Sequence, residues 1–241
     1  MFKLLSTANP KIQKGAKLGY LSFILHLSPS DVAGAGNTCP KATAGCKAAC
    51  LNTAGRGGMF TPEQGTNTIQ EARKRKTRAF FADRDQFMLD LASDIMKAVN
   101  FARKKGLVPV FRLNGTSDLS WEKYEVLGAK NIFALFPTVQ FYDYTKVLGR
   151  KTADIANYHL TFSAADGNDS DVAGAIAQGM NVTVVFDKLP ETYMGRTVFD
   201  ADDTDLRFLD PKGVVLGLKA KGRARKDTTG FVKRTIMMKV A

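Results

Sequence analysis

Three cysteines lie close together early in the chain and could bind a metal. They are Cys39, Cys46 and Cys50, separated by six and three residues. Cys46 and Cys50 would share one side of a helical turn, and Cys39 could fold back toward them from the loop above. An odd number of cysteines within twelve residues does not suit a disulfide framework, so metal ligation or redox chemistry is the better interpretation.

The thiolate set favours an iron–sulfur centre. Three thiolates would hold three corners of a [4Fe-4S] cluster and leave one iron open. Gly45 and the glycines around it allow the backbone to approach such a cluster closely. Zinc with three thiolates and one histidine is an alternative, although His26 and His159 are each flanked by strand-like apolar residues.

The composition predicts a globular protein with its own core. The chain has 241 residues, of which 44% are hydrophobic and 24% charged, and it carries no low-complexity tract. No apolar stretch approaches the roughly 18 residues that a membrane helix needs, and residues 1–19 do not build a signal-peptide core. We therefore expect a cytoplasmic protein that does not use a membrane.

The formal net charge of +12 predicts an anionic partner, and nucleic acid, DNA or RNA, is the leading candidate. An alternation of basic residues near the carboxyl terminus would place its members on one side of a strand, where they could follow a phosphate backbone. A second basic run lies on a predicted helix and could equally be a solvated face. These residues are Lys219, Lys221, Arg223 and Arg225, and then Arg73, Lys74, Arg75, Lys76 and Arg78.

Short apolar runs alternate with helical patterns along most of the chain, which predicts a parallel sheet. Six such runs suit a partial (β/α)6 barrel or a doubly wound sheet, and we favour the barrel, as a single domain over residues 1–241. The expected strands are Tyr20–Leu27, Leu107–Leu113, Thr138–Tyr142, Tyr158–Phe162, Asn181–Phe186 and Gly213–Leu218. The expected helices are Thr66–Phe80, Asp85–Lys105, Trp121–Leu127, Gly149–Ala156 and Asp171–Gln178.

Two irregular segments stand out from this alternation. The cysteines lie in a long loop, residues 28–58, that directly follows the first predicted strand, at the edge where barrel enzymes build their sites. Residues 188–212 contain an acidic cluster and are expected to be an insertion or a cover. The acidic residues of that segment include Asp200, Asp202, Asp203, Asp205 and Asp210.

A cysteine trio after the first strand of a six-strand unit resembles the radical S-adenosylmethionine superfamily, whose usual spacing is C-x3-C-x2-C. The segment after the second strand resembles the Gly-Gly-Glu-like stretch with which that superfamily contacts the methionyl amino group. That segment consists of Gly115, Thr116, Ser117 and Asp118.

The order of several motifs more closely resembles the phage gene-88-product domain family, whose function is unassigned. The resemblance covers roughly residues 5–187. The motifs are Leu5-Ser6-Thr7-Ala8-Asn9, Thr38-Cys39-Pro40, Cys46-Lys47, Cys50, Gly115 to Asp118 and Tyr142 to Lys146. Here Leu51 stands where a tyrosine is expected after the last cysteine.

These resemblances imply a specific chemistry. The open iron would bind S-adenosylmethionine, and its reductive cleavage would yield a radical that abstracts hydrogen from a nucleic acid or nucleotide in the host cytoplasm. The resemblance implies that Asp118 contacts the cationic amine of the cofactor and that Lys146, Ser163 and Asp166 line the same mouth. Asp118 could instead cap the helix expected at Trp121, and Lys146 and Asp166 could have surface or capping roles.

Two other functions are compatible with the sequence. A base-exchange enzyme of the DNA or tRNA guanine transglycosylase kind would use Asp118 or Asp143 as nucleophile. A non-catalytic nucleic-acid-binding protein would use the cysteines for a structural metal. The sequence leaves the oligomeric state open.

Overall fold

A computed structural model of the chain describes residues 3–7, 10–59 and 67–235. These residues form a mixed α/β structure around one open sheet of ten strands. The strands are β1 Leu5–Ser6, β2 Tyr20–Leu25, β3 Val108–Arg112, β4 Gln140–Thr145, β5 Tyr158–Ser163, β6 Val182–Phe186, β7 Thr192–Tyr193, β8 Arg196–Asp200, β9 Val215–Lys219 and β10 Val232–Lys233. The helices are α1 Pro10–Lys17, α2 Ala44–Ala48, α3 Thr68–Ala82, α4 Arg84–Lys104, α5 Ile132–Leu135 and α6 Asp169–Ala177.

Most neighbouring strands are parallel. The strand order is β1-β2-β3-β4-β5-β6-β9-β8-β7, and β10 pairs with β6 off this path. Strands β2, β3, β4, β5, β6 and β9 run parallel to one another, as does β8 beside β9, whereas β1 and β7 are antiparallel additions. Because parallel strands end at the same side, the segments after β2, β3, β4, β5, β6 and β9 meet along one edge of the sheet, called here the carboxyl edge.

One face of the sheet packs against α4, where the largest hydrophobic cluster lies. Alternate residues of β2, such as Phe23 and Leu25, meet the apolar stripe of α4, which includes Leu91 and Ile95. Helix α4 begins directly after Asp83, whose carboxylate accepts the backbone N–H of Gln86. None of the helices that the described residues form is long and apolar enough to cross a membrane.

The other face carries polar and aromatic residues and is covered by part of the acidic segment 188–212. Leu206 packs there against Val110 and Tyr142. Asp205 accepts hydrogen bonds from Arg112 at 2.6 Å and from the Tyr144 hydroxyl at 2.9 Å. The remainder of the segment forms β7 and β8 at the far side of the sheet.

All six predicted strands exist, with bounds within about three residues of those expected. The two long helices are also present, although the expected start of the first at Thr66 lies outside the described residues. Two short helices were wrong: Trp121–Leu127 is only a 3-10 turn over Trp121–Lys123, and Gly149–Ala156 consists of turns. The first turn ends because Tyr124 has an extended backbone, and residues with positive φ, Leu127 and Gly149, stand at the end of the first predicted range and at the start of the second.

Candidate functional site

The cysteine loop lies at the carboxyl edge, directly after β2. Thr38 is fully buried and donates to the Ser28 carbonyl oxygen at 2.6 Å, which fixes the beginning of the loop. Cys46 lies within α2, but the helix ends at Ala48 and Cys50 has an extended backbone. The expectation that Cys46 and Cys50 share one helical turn is therefore wrong, because the helix stops before the last cysteine.

All three cysteines are free thiols of intermediate burial. Burial raises the pKa of Cys39 above its ordinary value, and the negative charges of Asp118 and Cys50 add to that rise. Burial likewise raises the pKa of Cys50, to which the charge of Cys46 contributes. Each of these two rises therefore includes a contribution from the charge of another thiol.

In the described residues, no three His, Cys, Asp or Glu side chains are grouped so as to hold a metal ion. The histidines considered as a fourth ligand, His26 and His159, are partly buried near cationic side chains. Burial, followed by the charges of Arg73 and Arg112, lowers the pKa of His26 to about 3, so its ring is neutral. The assignment of Cys39, Cys46 and Cys50 as metal ligands stays a prediction.

Asp118, Lys146 and Ser163 come together beside the thiols. The Asp118 carboxylate accepts the backbone N–H of Lys146 at 2.8 Å, and the Lys146 ammonium donates to Ser163 Oγ at 3.3 Å. The backbone N–H of Asp118 donates to the Thr38 carbonyl oxygen at 2.8 Å. The positive charge of Lys146 acts to lower the pKa of Cys50, against the larger effect of burial.

Four loops therefore meet at one place, those that follow β2, β3, β4 and β5. The alternative role of Asp118 as a helix cap is wrong: the 3-10 turn at Trp121 follows Ser120, and no side chain caps it. Asp118 Oδ1 is buried with no hydrogen-bond partner in the part of the chain that the structure describes, although Arg150 Nη1 lies 3.7 Å away.

The residues before Asp118 fix the shape of their loop. A Cβ at Gly115 would lie 2.7 Å from Ile24 Cγ2 and 2.8 Å from the Leu25 carbonyl oxygen, so only glycine fits against β2. Thr116 Oγ1 donates to the Leu27 carbonyl oxygen at 2.5 Å, and Ser117 Oγ donates to Asn114 Oδ1 at 2.9 Å. These contacts hold the loop in place; the expected contact of the same residues with a cofactor stays a prediction.

Asp166 fastens the cysteine helix to the sheet. Its carboxylate accepts hydrogen bonds from Thr43 Oγ1 and from the Gly45 N–H at 3.1 Å, while Thr43 Oγ1 accepts the Cys46 N–H at 3.2 Å. Burial acts to raise the pKa of Asp166, but these hydrogen bonds outweigh it and lower the pKa overall. Asp166 thereby holds α2 in position after β5.

The basic run on α3 faces the cysteine loop more than solvent. The Arg73 guanidinium donates to both the backbone and the side-chain oxygen of Asn52, at 3.0 and 2.8 Å. The other basic side chains of the run also have partners: Lys74 pairs with Glu71, Lys76 donates to the Leu4 carbonyl oxygen, and Arg78 donates to the Ala33 carbonyl oxygen, while Arg75 is exposed.

Arg75 and Arg78 are exposed, and the interpretation of this run as a nucleic-acid contact stays a prediction. Arg73 and Lys76 turn toward the protein, where they donate to the carbonyl oxygens of Asn52 in the cysteine loop and of Leu4 just before β1. Burial is the main reason that the pKa of Lys76 falls to about 8. Helical periodicity could have separated Arg73 from Arg75, since the former lies on the same face of α3 as the buried Thr77 and Phe80, whereas the latter does not.

Arg150, a buried residue that the sequence analysis did not single out, connects the loops that follow β3 and β4. The Arg150 side chain is 2% exposed and donates to the Glu122 carboxylate and, at 3.2 Å, to the Tyr158 hydroxyl. It also lies beside Asp118, so it ties the segment after β4 to the segment after β3.

Asp143 is fully buried in β4, and burial raises its pKa to about 7. Its oxygens accept hydrogen bonds from the Asn114 N–H at 2.7 Å and the Tyr158 hydroxyl at 3.1 Å. A carboxylate enclosed in this way cannot reach a substrate, which removes Asp143 from the candidate nucleophiles.

The carboxyl-terminal basic residues do not form one ribbon. Strand β9 ends at Lys219, and Gly222–Lys226 is a 3-10 helix, so the expected period-two strand through Arg225 is wrong. Lys219 and Lys221 pair with Asp200 and Asp202 of the acidic segment, at 2.8 and 2.6 Å. Both lysine side chains are more than half exposed in these pairs, and their assignment as nucleic-acid contacts stays a prediction.

A protein-family model described as gene product 88 matches residues 3–235. The match extends beyond the range 5–187 expected from the motifs and includes the acidic segment and β10. The motif residues Ala8 and Asn9 lie outside the residues that the structure describes. No curated protein and no solved structure gives a match.

Proposed function

The chain belongs to the gene product 88 family, and on that premise we propose that it is an iron–sulfur enzyme of the radical S-adenosylmethionine type that modifies a nucleic acid or nucleotide. One observation carries the proposal: three free thiols lie at the carboxyl edge of a parallel sheet, beside Asp118 and Lys146. The six parallel strands in consecutive order are compatible with a partial (β/α)6 barrel, in which this edge is the mouth.

The donor set fits a thiolate-bound centre in its chemistry. Neutral thiols are stable in this half-buried place because burial raises the pKa of Cys39 and Cys50. A bound metal would reverse this preference, since its positive charge stabilises thiolates. The proposal requires the three sulfur atoms to converge when the centre binds, through rotation of their side chains.

The surrounding residues suit a zwitterionic cofactor. Asp118 offers a carboxylate to an ammonium group, and Lys146 offers an ammonium to a carboxylate. Both lie within electrostatic range of a thiol, Asp118 beside Cys39 and Lys146 beside Cys50. When bound, a cluster with one open iron supplies the electron for reductive cleavage of S-adenosylmethionine.

The protein supplies position and exclusion of water around that chemistry. Asp166 holds α2 to the loop after β5, and Arg73 holds the segment after Cys50 to α3. Arg150 keeps the loops after β3 and β4 in register beneath Asp118. Each of these contacts limits the movement of a loop that carries a proposed ligand or cofactor contact.

The test is anaerobic reconstitution of the full chain with iron and sulfide. We expect a brown protein with absorption near 400 nm and about four irons per chain. Cys46→Ala should lose this chromophore, whereas the control Asp118→Asn should keep it but no longer show a change in the reduced cluster's paramagnetic resonance spectrum when S-adenosylmethionine is added. Colourless protein with one zinc, or full iron retention in Cys46→Ala, would overturn the proposal.

A further inference from the structure

The basic side chains of this protein differ in whether they pair with other groups of the same chain. Several basic residues are held by acidic groups or carbonyl oxygens, as described above for α3 and β9. At the carboxyl edge a different set is exposed, and its members form no ion pair within the described residues. We call this set the basic rim: Lys41, Lys47, Arg223, Arg225 and Lys226.

The two halves of the basic rim belong to adjoining segments. Lys41 and Lys47 lie on the cysteine loop, and the three others lie in the 3-10 helix after β9. A Cβ at Gly45 would lie 2.0 Å from Thr229 Oγ1 and 2.8 Å from Phe231 Cβ, so α2 packs directly on the chain that follows the 3-10 helix.

That carboxyl-terminal chain is fixed to the sheet. Val232 pairs with Val185 of β6, and its N–H donates to Asp227 Oδ2 at 3.0 Å. Lys233 pairs with Asp169 at the start of α6. The basic rim is therefore part of a defined surface next to the thiols.

We propose that the basic rim binds the sugar–phosphate backbone of a single-stranded nucleic acid and presents one unpaired base to the cysteine loop. This rests on the proposed function for what happens to the base, but the binding itself does not require a metal. Exposed cations that lack internal acidic partners are available to replace the counterions of phosphates.

Two features favour a single strand over a duplex. The thiols are partly buried, so a base that remained stacked and paired could not reach them. Leu51 on the cysteine loop and Met59 directly after it are exposed, at 61% and 64%, and offer apolar surface against which an unstacked base can pack. A membrane surface would need a longer apolar and basic face than the five-residue α2 provides.

The experiment measures binding of a fluorescent single-stranded oligonucleotide by anisotropy at several salt concentrations. The test variant changes Lys47, Arg223 and Lys226 to alanine. The control variant changes Arg103, Lys104 and Lys105, which are exposed at the opposite edge, to alanine and so removes the same charge.

We expect the rim variant to bind the oligonucleotide at least about tenfold more weakly than the natural chain. The slope of the logarithm of its binding constant against the logarithm of the salt concentration should be smaller in magnitude by about 2, since each of three lost phosphate contacts removes about 0.7. The control variant should stay within about threefold of the natural chain. Equal losses in both variants, no binding by the natural chain, or tighter binding of a duplex of the same sequence would each overturn the proposal.

Two further measurements distinguish nucleic-acid binding by the basic rim from the proposed iron–sulfur function and from membrane binding. The Cys46→Ala chain should bind the oligonucleotide as the natural chain does, so loss of the cluster and loss of the rim are distinguishable. Vesicles containing phosphatidylserine serve as the other anionic surface. Rim-dependent binding to vesicles without binding to the oligonucleotide would contradict the nucleic-acid assignment.

Discussion

Asp143→Asn should change how the stability of this protein depends on pH. Asp143 is fully buried, and its carboxyl has a pKa of about 7 against an ordinary value of 3.8, chiefly because burial disfavours the charged form. The nearby charges of Arg112 and Arg150 act in the opposite direction without cancelling that effect. The folded state therefore binds a proton at Asp143 more tightly than the unfolded state does.

The sign and size follow from linkage. Between pH 3.8 and about 7 the folded chain keeps the proton that the unfolded chain has lost, so this group makes the free energy of unfolding fall as pH rises. At about 1.4 kcal/mol for each pH unit, the total is about 4 kcal/mol. Asparagine does not titrate, so it should be similar in stability to the natural residue near pH 4 and more stable above pH 7.

The assay is urea unfolding of both chains from pH 4.5 to 8, followed by the fluorescence of the single tryptophan. Trp121 is fully buried, and its indole N–H donates to Asn114 Oδ1 at 3.1 Å, next to the Asp143 contact. Asp187→Asn is the control of opposite sign, since hydrogen bonds from Thr235 outweigh burial and lower the pKa of Asp187. We expect the free energy of unfolding of the natural chain, minus that of the Asp143→Asn chain, to fall as pH rises. A difference that stays flat or increases with pH would refute the reasoning.

Two other substitutions test the packing and charge of the site, with urea unfolding as the measurement. Gly45→Ala should lower the free energy of unfolding by about 1–3 kcal/mol because no space exists for its Cβ; Gly15→Ala, whose nearest atoms are 3.6 Å away, is its control and should not destabilise the chain. Arg150→Met should cost about 3–5 kcal/mol because it leaves the buried Glu122 carboxylate without its cation. Exposed Lys151→Met should change little, and an equal loss there would show that charge alone, not burial, matters.

Local sequence patterns predicted the framework of the fold but not the ends of its short helices. The apolar runs at β2, β3 and β5 identify strands because both faces of a central parallel strand are covered, at least in part. The 3.6-residue periodicity identifies α4 for a similar reason. Leu127 and Gly149 have left-handed backbone conformations, which hydrophobic patterns do not reveal.

The sequence predicted where the candidate site lies, but it predicted the roles of only some of the residues there. Cys39, Asp118 and Lys146 were expected at one mouth, and the structure places them together because the segments that follow parallel strands share an edge. Arg73 and Asp143 could not be assigned, since their roles depend on Asn52 and Asn114, partners that lie 21 and 29 residues away.

The sequence by itself determined the order of strands and helices, the position of the thiols after β2 and the excess of positive charge. Tertiary structure alone decided which charges are free. Lys219 and Lys221 meet carboxylates that are distant in the chain, whereas Arg223 and Lys226 remain exposed. The physical reason is that hydrophobic periodicity is a local property, while ion pairing and burial depend on contacts that form only when remote segments pack together.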